Sequence, residues 1–341
     1  MTPLLVAELA QRYLPPLDAF MRDVVESAPT APGFDTLLRY PFGWVDANGQ
    51  PYHHPTGKRI RPILLLLCAE AAGGDWHSAL PAAAAVEILH NFSLIHDDIQ
   101  DDSEIRHNRP TVWKIWGRAN AINAGDAIFA LAYSALSRLN ATTSPEIALA
   151  CWQIFNLTNL ELTRGQHLDM RFESQASVTT DAYISMVSGK TAALVSASAQ
   201  MGALIASGST EKAAHFARYG LNLGIAFQIH DDILGIWGNP DVTGKSAATD
   251  ILSRKKSLPV LYGLAQSPTL NAVYQRNPFQ AADVDEAVRL LDTIGAHEYT
   301  RQSEAAYFQQ ALDALHAALN GRSQAANDLL RLSDLLFERS F

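Results

Sequence analysis

From Pro62 onward, apolar residues recur three and four positions apart through long Ala- and Leu-rich stretches, the spacing of helices that bury one face. Strict alternation of apolar and polar residues, the mark of half-buried strands, is scarce. Short Gly, Pro, Ser and Thr clusters interrupt the pattern at residues 73–75, 140–145, 174–180, 207–210, 237–244, 267–268 and 321, leaving segments long enough for an all-α bundle. Residues 284–319 and 323–341 read as amphipathic helices that complete it. Residues 27–57 are the exception: five prolines and an Asn48-Gly49 turn signal predict a loop or small hairpin there. No tandem repeat or composition shift marks a second domain, so the expectation is a single domain over residues 1–341.

Composition narrows the possibilities. The 341 residues are 48% hydrophobic and 18% charged, which is globular and excludes disorder or a fibre. Thirty-five acidic against 26 basic side chains give a net charge of -9, and no Lys or Arg run offers a footprint for nucleic acid. The two cysteines, Cys68 and Cys151, sit among apolar neighbours, which excludes a disulfide framework and suits a reducing compartment. The longest purely apolar run, residues 63–69, is far below the ~18 needed to span a bilayer, and the N-terminus lacks a basic start or cleavage site. These features predict a soluble, cytoplasmic protein with no transmembrane segment.

One acidic string occurs twice, as Ile95-His96-Asp97-Asp98-Ile99 and as Ile229-His230-Asp231-Asp232-Ile233, each time ending an apolar helix. The first continues to Asp101, so Asp97 and Asp101 share a helical face with Asp98 about 100° away. Carboxylates so placed repel unless a cation lies between them, and without convergent Cys or His they favour a hard ion, magnesium, shared with substrate phosphates. Cations supply the complement: Gly57-Lys58-Arg59-Ile60-Arg61-Pro62 precedes a buried helix, and Arg106-His107-Asn108-Arg109-Pro110 follows the first acidic motif. Carboxylate and cation clusters together suit a diphosphate and its bridging metals.

These motifs, with Lys190-Thr191, Phe227-Gln228, Gly244-Lys245 and the Lys-Ser-Leu-Pro string from Lys256, occur in the order found in the trans-prenyl diphosphate synthase (polyprenyl synthetase) family, which the chain resembles over residues 57–259. The resemblance implies the isoprenoid synthase fold, a bundle around a central apolar cavity, and a homodimer. It implies condensation of isopentenyl diphosphate with allylic diphosphates, with three magnesium ions when substrate is bound. Asp97, Asp101 and Asp231 correspond to the metal ligands, with Asp98 and Asp232 supporting them. Lys58, Arg61 and His90 correspond to the isopentenyl diphosphate clamp, and Arg106, Lys190, Lys245 and Lys256 to the allylic clamp. Thr191 and Gln228 correspond to groups whose oxygens face the developing cation.

Two positions depart from the family pattern. His107, a group of pKa about 6.5, stands where a second arginine usually holds isopentenyl diphosphate, and Gly235 stands where the second motif usually ends in aspartate. Two alternative functions go with such departures: a terpene cyclase or allylic diphosphate hydrolase of the same fold, and a non-catalytic partner subunit of a synthase. Phe92, five before the first aspartate, with Ser93 after it, resembles the chain-length floor of geranylgeranyl diphosphate synthases. Twenty-carbon products are favoured on that likeness, with fifteen-carbon farnesyl products also compatible.

Overall fold

The computed structural model describes residues 2–54, 57–175, 177–238, 248–319, 321 and 323–337. Among these, strand is confined to a short hairpin, β1 (Ile105–Arg106) and β2 (Arg109–Pro110), and one bridge between Val45 and Pro51. The rest of the regular structure is helical. The chain divides into two compact units: Met1–Gln153 with Met201–Ala213, and Ile154–Gln200 with Ala214–Phe341.

The first unit holds α1 (Thr2–Glu26), α2 (Phe34–Arg39), α3 (Ile60–Ala71), α4 (Leu80–Gln100), α5 (Val112–Trp116) and α6 (Arg118–Ser137). In α3 the eight residues from Pro62 to Ala69 are all buried, as expected of a helix that is apolar all round. In α4, Pro81 sits in the first turn, where its missing N–H costs nothing, and Ala82 to Ala85 are so small that α3 and α6 approach closely. The span Trp76–Gln100 is long and apolar enough to cross a membrane, with an 18-residue window of mean hydropathy 1.3, but 67% of that window is buried within the protein. It is the core helix of this unit. The predicted insertion at 27–57 contains α2 and a small hairpin that turns at Asn48-Gly49, where the Asp46 carboxylate accepts from the Asn48 and Gln50 amides at 2.9 and 2.8 Å. The helix α1 runs through Pro15 and Pro16, held by buried Tyr13, Leu17, Met21 and Val24.

The helix α7 (Pro145–Ser174) contains one unit boundary and α9 (Ala193–Ser207) another. The second unit continues with α8 (Thr180–Val187), a single π turn (Ser188–Ala192), α10 (Thr210–Trp237), α11 (Thr249–Leu252), α12 (Leu258–Gln266), α13 (Pro268–Tyr274), α14 (Ala281–Thr293), α15 (Ala296–Ala318) and α16 (Gln324–Phe337). One of its apolar clusters joins Phe172, Tyr183, Met186, Ile225, Ile229 and Leu258, and another joins Ile236, Ile251, Val260, Leu270, Val273 and Leu291. Helix ends at Ala71, Ser174, Ser207, Trp237 and Gln266 fall at the predicted breaks. The stretch 284–319 does not stay one helix: Gly295, at φ 74°, divides it into α14 and α15 by adopting the left-handed conformation that ends helices.

Gly202 of α9 lies directly over the Leu65 carbonyl of α3, leaving no space for a Cβ. Gly202→Ala should therefore lower stability by about 1–3 kcal/mol through overpacking, measured as a shift in the denaturant midpoint at unchanged slope.

Candidate active site

In the first unit the last turn of α4 carries the carboxylates. The Asp101 amide donates to the Asp97 carbonyl at 2.8 Å, so the turn is intact and places both side chains on one face. Asp98, only 4% exposed, points elsewhere and accepts from Arg106 Nε at 2.7 Å. Burial pushes the Asp98 carboxyl up, against the opposing pull of Arg106. The pair thus divides its work: Asp98 anchors the hairpin, while Asp101 is exposed and Asp97 half-buried.

Around His90 of α4 the expected cations gather within the same unit. Arg61 Nη1 lies 3.2 Å from His90 Nε2, which accepts because burial first, then Arg61, Arg106 and His107, hold the imidazole well below its ordinary pKa and therefore neutral. His107 Cε1 lies 3.5 Å from where a Cβ on Gly57 would be, so the ring rests on the Gly57-Lys58 loop. Arg59 turns the other way, paired with Asp18 of α1 and with buried Glu87 of α4 at 3.8 Å. Its role is to hold helices together. His107 and Asn108, at φ 49° and 58°, form the two-residue turn between Arg106 and Arg109, a left-handed pair that costs non-glycine residues about 1–2 kcal/mol each.

In the second unit Asp232 is fully buried and accepts four donors: Tyr183 Oη at 2.6 Å, the Leu258 amide at 3.0 Å, Gln228 Nε2 at 3.2 Å and Lys255 Nζ at 3.3 Å. Burial and the adjacent carboxylate push the Tyr183 hydroxyl well above its ordinary value, so it remains a donor. Thr191 Oγ1 donates to Gln228 Oε1 at 2.9 Å, extending the network to the π turn, a feature often found at functional sites. Lys190, in the same turn, pairs with Asp169 of α7. Asp231 is half-buried, about 100° around α10 from Asp232.

The remaining positions are distributed as follows. Lys256 donates to the Phe172 carbonyl at 2.7 Å and to the Gln175 carbonyl, serving as a cation at the C-terminus of α7. Its neighbour Lys255 is the lysine at Asp232, and also lies 3.4 Å from Asp250. Of the pair, Lys255 reaches the carboxylates and Lys256 the main-chain carbonyls. Lys245 lies outside the described residues. A Cβ at Gly235 would stand 2.5 Å from Asp250 Oδ2, so the aspartate missing from the second motif leaves room that the Asp250 carboxylate occupies. Phe92 packs on His96 with centroids 4.7 Å apart and on Phe129 of α6 at 5.0 Å, while buried Ser93 donates to the His90 carbonyl at 2.9 Å.

Among the described residues no three His, Cys, Asp or Glu side chains form a ready-made metal cage. Two carboxylates on one helical turn nonetheless fit magnesium, which takes one or two protein carboxylates and completes its shell with water and phosphate oxygens.

Fold and charged clusters together define an all-α enzyme that handles diphosphates. The chain belongs to the polyprenyl synthetase family, whose model it matches over residues 43–291, and it is a prenyltransferase making short-chain prenyl diphosphates. A (2E,6E)-farnesyl diphosphate synthase of Mycobacterium tuberculosis is 39% identical over 316 residues, covering 90% of this chain and 87% of that protein. A geranylgeranyl diphosphate synthase of the same organism is 38% identical over 309 residues, covering 89% and 86%. The structure of a geranylgeranyl pyrophosphate synthetase from Pyrococcus horikoshii has a TM-score of 0.88 at 33% identity, with 99% of each chain covered.

Proposed function

We propose that the protein is a magnesium-dependent synthase that condenses isopentenyl diphosphate with allylic diphosphates to give geranylgeranyl diphosphate, with farnesyl diphosphate as the shorter product. The observation that carries this reading is the gathering of Arg61, His90, Arg106 and His107 beside the Gly57-Lys58 loop, in the unit that also presents Asp97 and Asp101. Lys58, Arg61 and His107 bind the isopentenyl diphosphate. Neutral His90 supplies a hydrogen bond without adding charge. Asp97 and Asp101 in the first unit and Asp231 in the second would hold magnesium, which would supply charge neutralisation for the departing allylic diphosphate. Lys190, Lys245 and Lys256 add positive charge for the leaving group, beside Lys255 with its carboxylate partners Asp232 and Asp250. The Thr191–Gln228–Asp232 network fixes the oxygens that face the allylic cation, and the isopentenyl double bond attacks that cation. The released proton goes to the departing diphosphate. A homodimer accompanies this reading, for which α7 offers Leu149, Trp152, Leu157 and Leu160, all exposed on one helical face.

The test is incubation of purified protein with magnesium, isopentenyl diphosphate and dimethylallyl, geranyl or farnesyl diphosphate, followed by sizing of products. Alcohols or cyclic hydrocarbons formed without isopentenyl diphosphate would overturn the proposal. Asp97→Ala and Asp231→Ala should each cut turnover about a thousandfold or more, because a lost ligand removes several kcal/mol of transition-state stabilisation. A variant that keeps a tenth of wild-type turnover at saturating magnesium is not missing a ligand.

Burial, then Arg106 and His54, hold the His107 imidazole below its ordinary pKa, so it is neutral at pH 7 before substrate binds. A diphosphate beside it favours the charged form, and binding should take up a proton. The Michaelis constant for isopentenyl diphosphate should rise as pH climbs above neutrality, and His107→Arg should flatten that dependence. A pH-independent wild type would remove His107 from the site.

Phe92→Ala should lengthen products by at least one isoprene unit, because deleting a ring from a packed wall opens space for an apolar tail. Chromatographic sizing decides it. An unchanged distribution would leave Phe129, against which Phe92 packs, as the floor.

A further inference from the structure

Residues 34–54 form an arm that precedes the Gly57-Lys58 loop. Tyr40, Phe42, Trp44 and Val45 are buried, the Phe42 and Trp44 rings stack at 4.6 Å, and Arg22 of α1 lies over Trp44 at 4.5 Å. A short backbone ladder fixes the rest: Tyr52 N donates to the Trp44 carbonyl and His54 N to the Gly43 carbonyl, each at 3.0 Å. The arm is therefore a firm piece of structure.

Its polar contacts converge on the hairpin that carries Arg106 and His107. Arg109 donates to the Tyr40 carbonyl at 3.3 Å and to the Val45 carbonyl at 2.9 Å, with its guanidinium 3.8 Å from the Tyr40 ring centroid. The Tyr40 hydroxyl returns a bond to the Pro110 carbonyl at 2.8 Å. His54 Nε2 donates to the His107 carbonyl at 2.7 Å. That last bond falls on the left-handed turn itself, where neither residue is glycine and backbone strain favours relaxation. A cavity of about 50 Å3 lies between arm, hairpin and α4, lined by Tyr40, His54, Leu94, Ile95, His107 and Val112 among others.

We propose that the arm is a latch for the diphosphate clamp: His54, with Arg109 and Tyr40 beside it, holds the His107–Asn108 turn so that the His107 ring stays on the Gly57-Lys58 loop, and thereby sets affinity for isopentenyl diphosphate. His54 and Arg109 are positioning residues that act through His107. The inference rests on the functional reading above, and deepens it by naming what tunes one substrate's affinity.

The experiment is calorimetric titration of isopentenyl diphosphate onto full-length wild type, His54→Ala and His54→Gln, with steady-state elongation assays and thermal unfolding on the same preparations. Losing one hydrogen bond to a strained turn should weaken isopentenyl diphosphate binding about five- to tenfold in His54→Ala. The allylic Michaelis constant and kcat should stay within about twofold, and His54→Gln, which keeps a donor, should restore wild-type affinity. Equal affinity in wild type and His54→Ala, or a fall in kcat and both affinities together, would overturn the latch while wild-type elongation still upholds the function. A wild type that neither binds isopentenyl diphosphate nor elongates would overturn the functional reading itself, and the latch with it.

Discussion

Adjacent aspartates on a helix repel one another, and a carboxylate taken out of water costs several kcal/mol unless donors meet it. Both acidic motifs answer this constraint in the same way. In each, the second aspartate is turned inward and given protein donors: Arg106 for Asp98, and Tyr183, Gln228, Lys255 and the Leu258 amide for Asp232. The first is turned about 100° away and is half-buried. Fixing the inner carboxylate fixes the helix that bears the outer one, and the hairpin, the π turn and the start of α12 are all positioned by these inner contacts.

The helical architecture was legible because its signals are local. The punctuation at 73–75, 174–180, 207–210 and 267–268 is Gly, Pro, Ser and Thr, residues that end helices by their own conformational preferences. What escaped reading depends on tertiary support. A periodic pattern runs across Gly295, and α1 passes through two prolines because buried side chains outweigh the broken hydrogen bonds. The hairpin at 105–110 has two residues per strand and a His-Asn turn, too little for alternation to register.

The site was legible at the level of residue type and less so at the level of partner. Paired aspartates and clustered cations announce diphosphate chemistry from spacing alone. Which of Lys255 and Lys256 meets the acids depends on how the chain runs between α11 and α12, which the sequence does not display. Asp250 stands alone in the sequence, and only the backbone approach at Gly235 brings its carboxylate to the second motif. His54 and Tyr40 lie in a segment whose composition says loop, and their contacts arise from folding onto a hairpin more than fifty residues away.

The helices that carry the second motif meet main chain to main chain. A Cβ at Gly220 would lie 2.7 Å from the Val195 carbonyl, and one at Gly224 would lie 2.7 Å from the Ala192 Cα. Contacts between side chains can be re-optimised by a change of rotamer, but contacts between backbones have no such freedom. In mechanical terms the π turn, the start of α9 and the middle of α10 form one stiff strut. The Thr191–Gln228 bond spans its two halves, so the backbones that present its two side chains keep a fixed spacing. That spacing limits how far backbone motion can carry the Thr191 and Gln228 side chains apart.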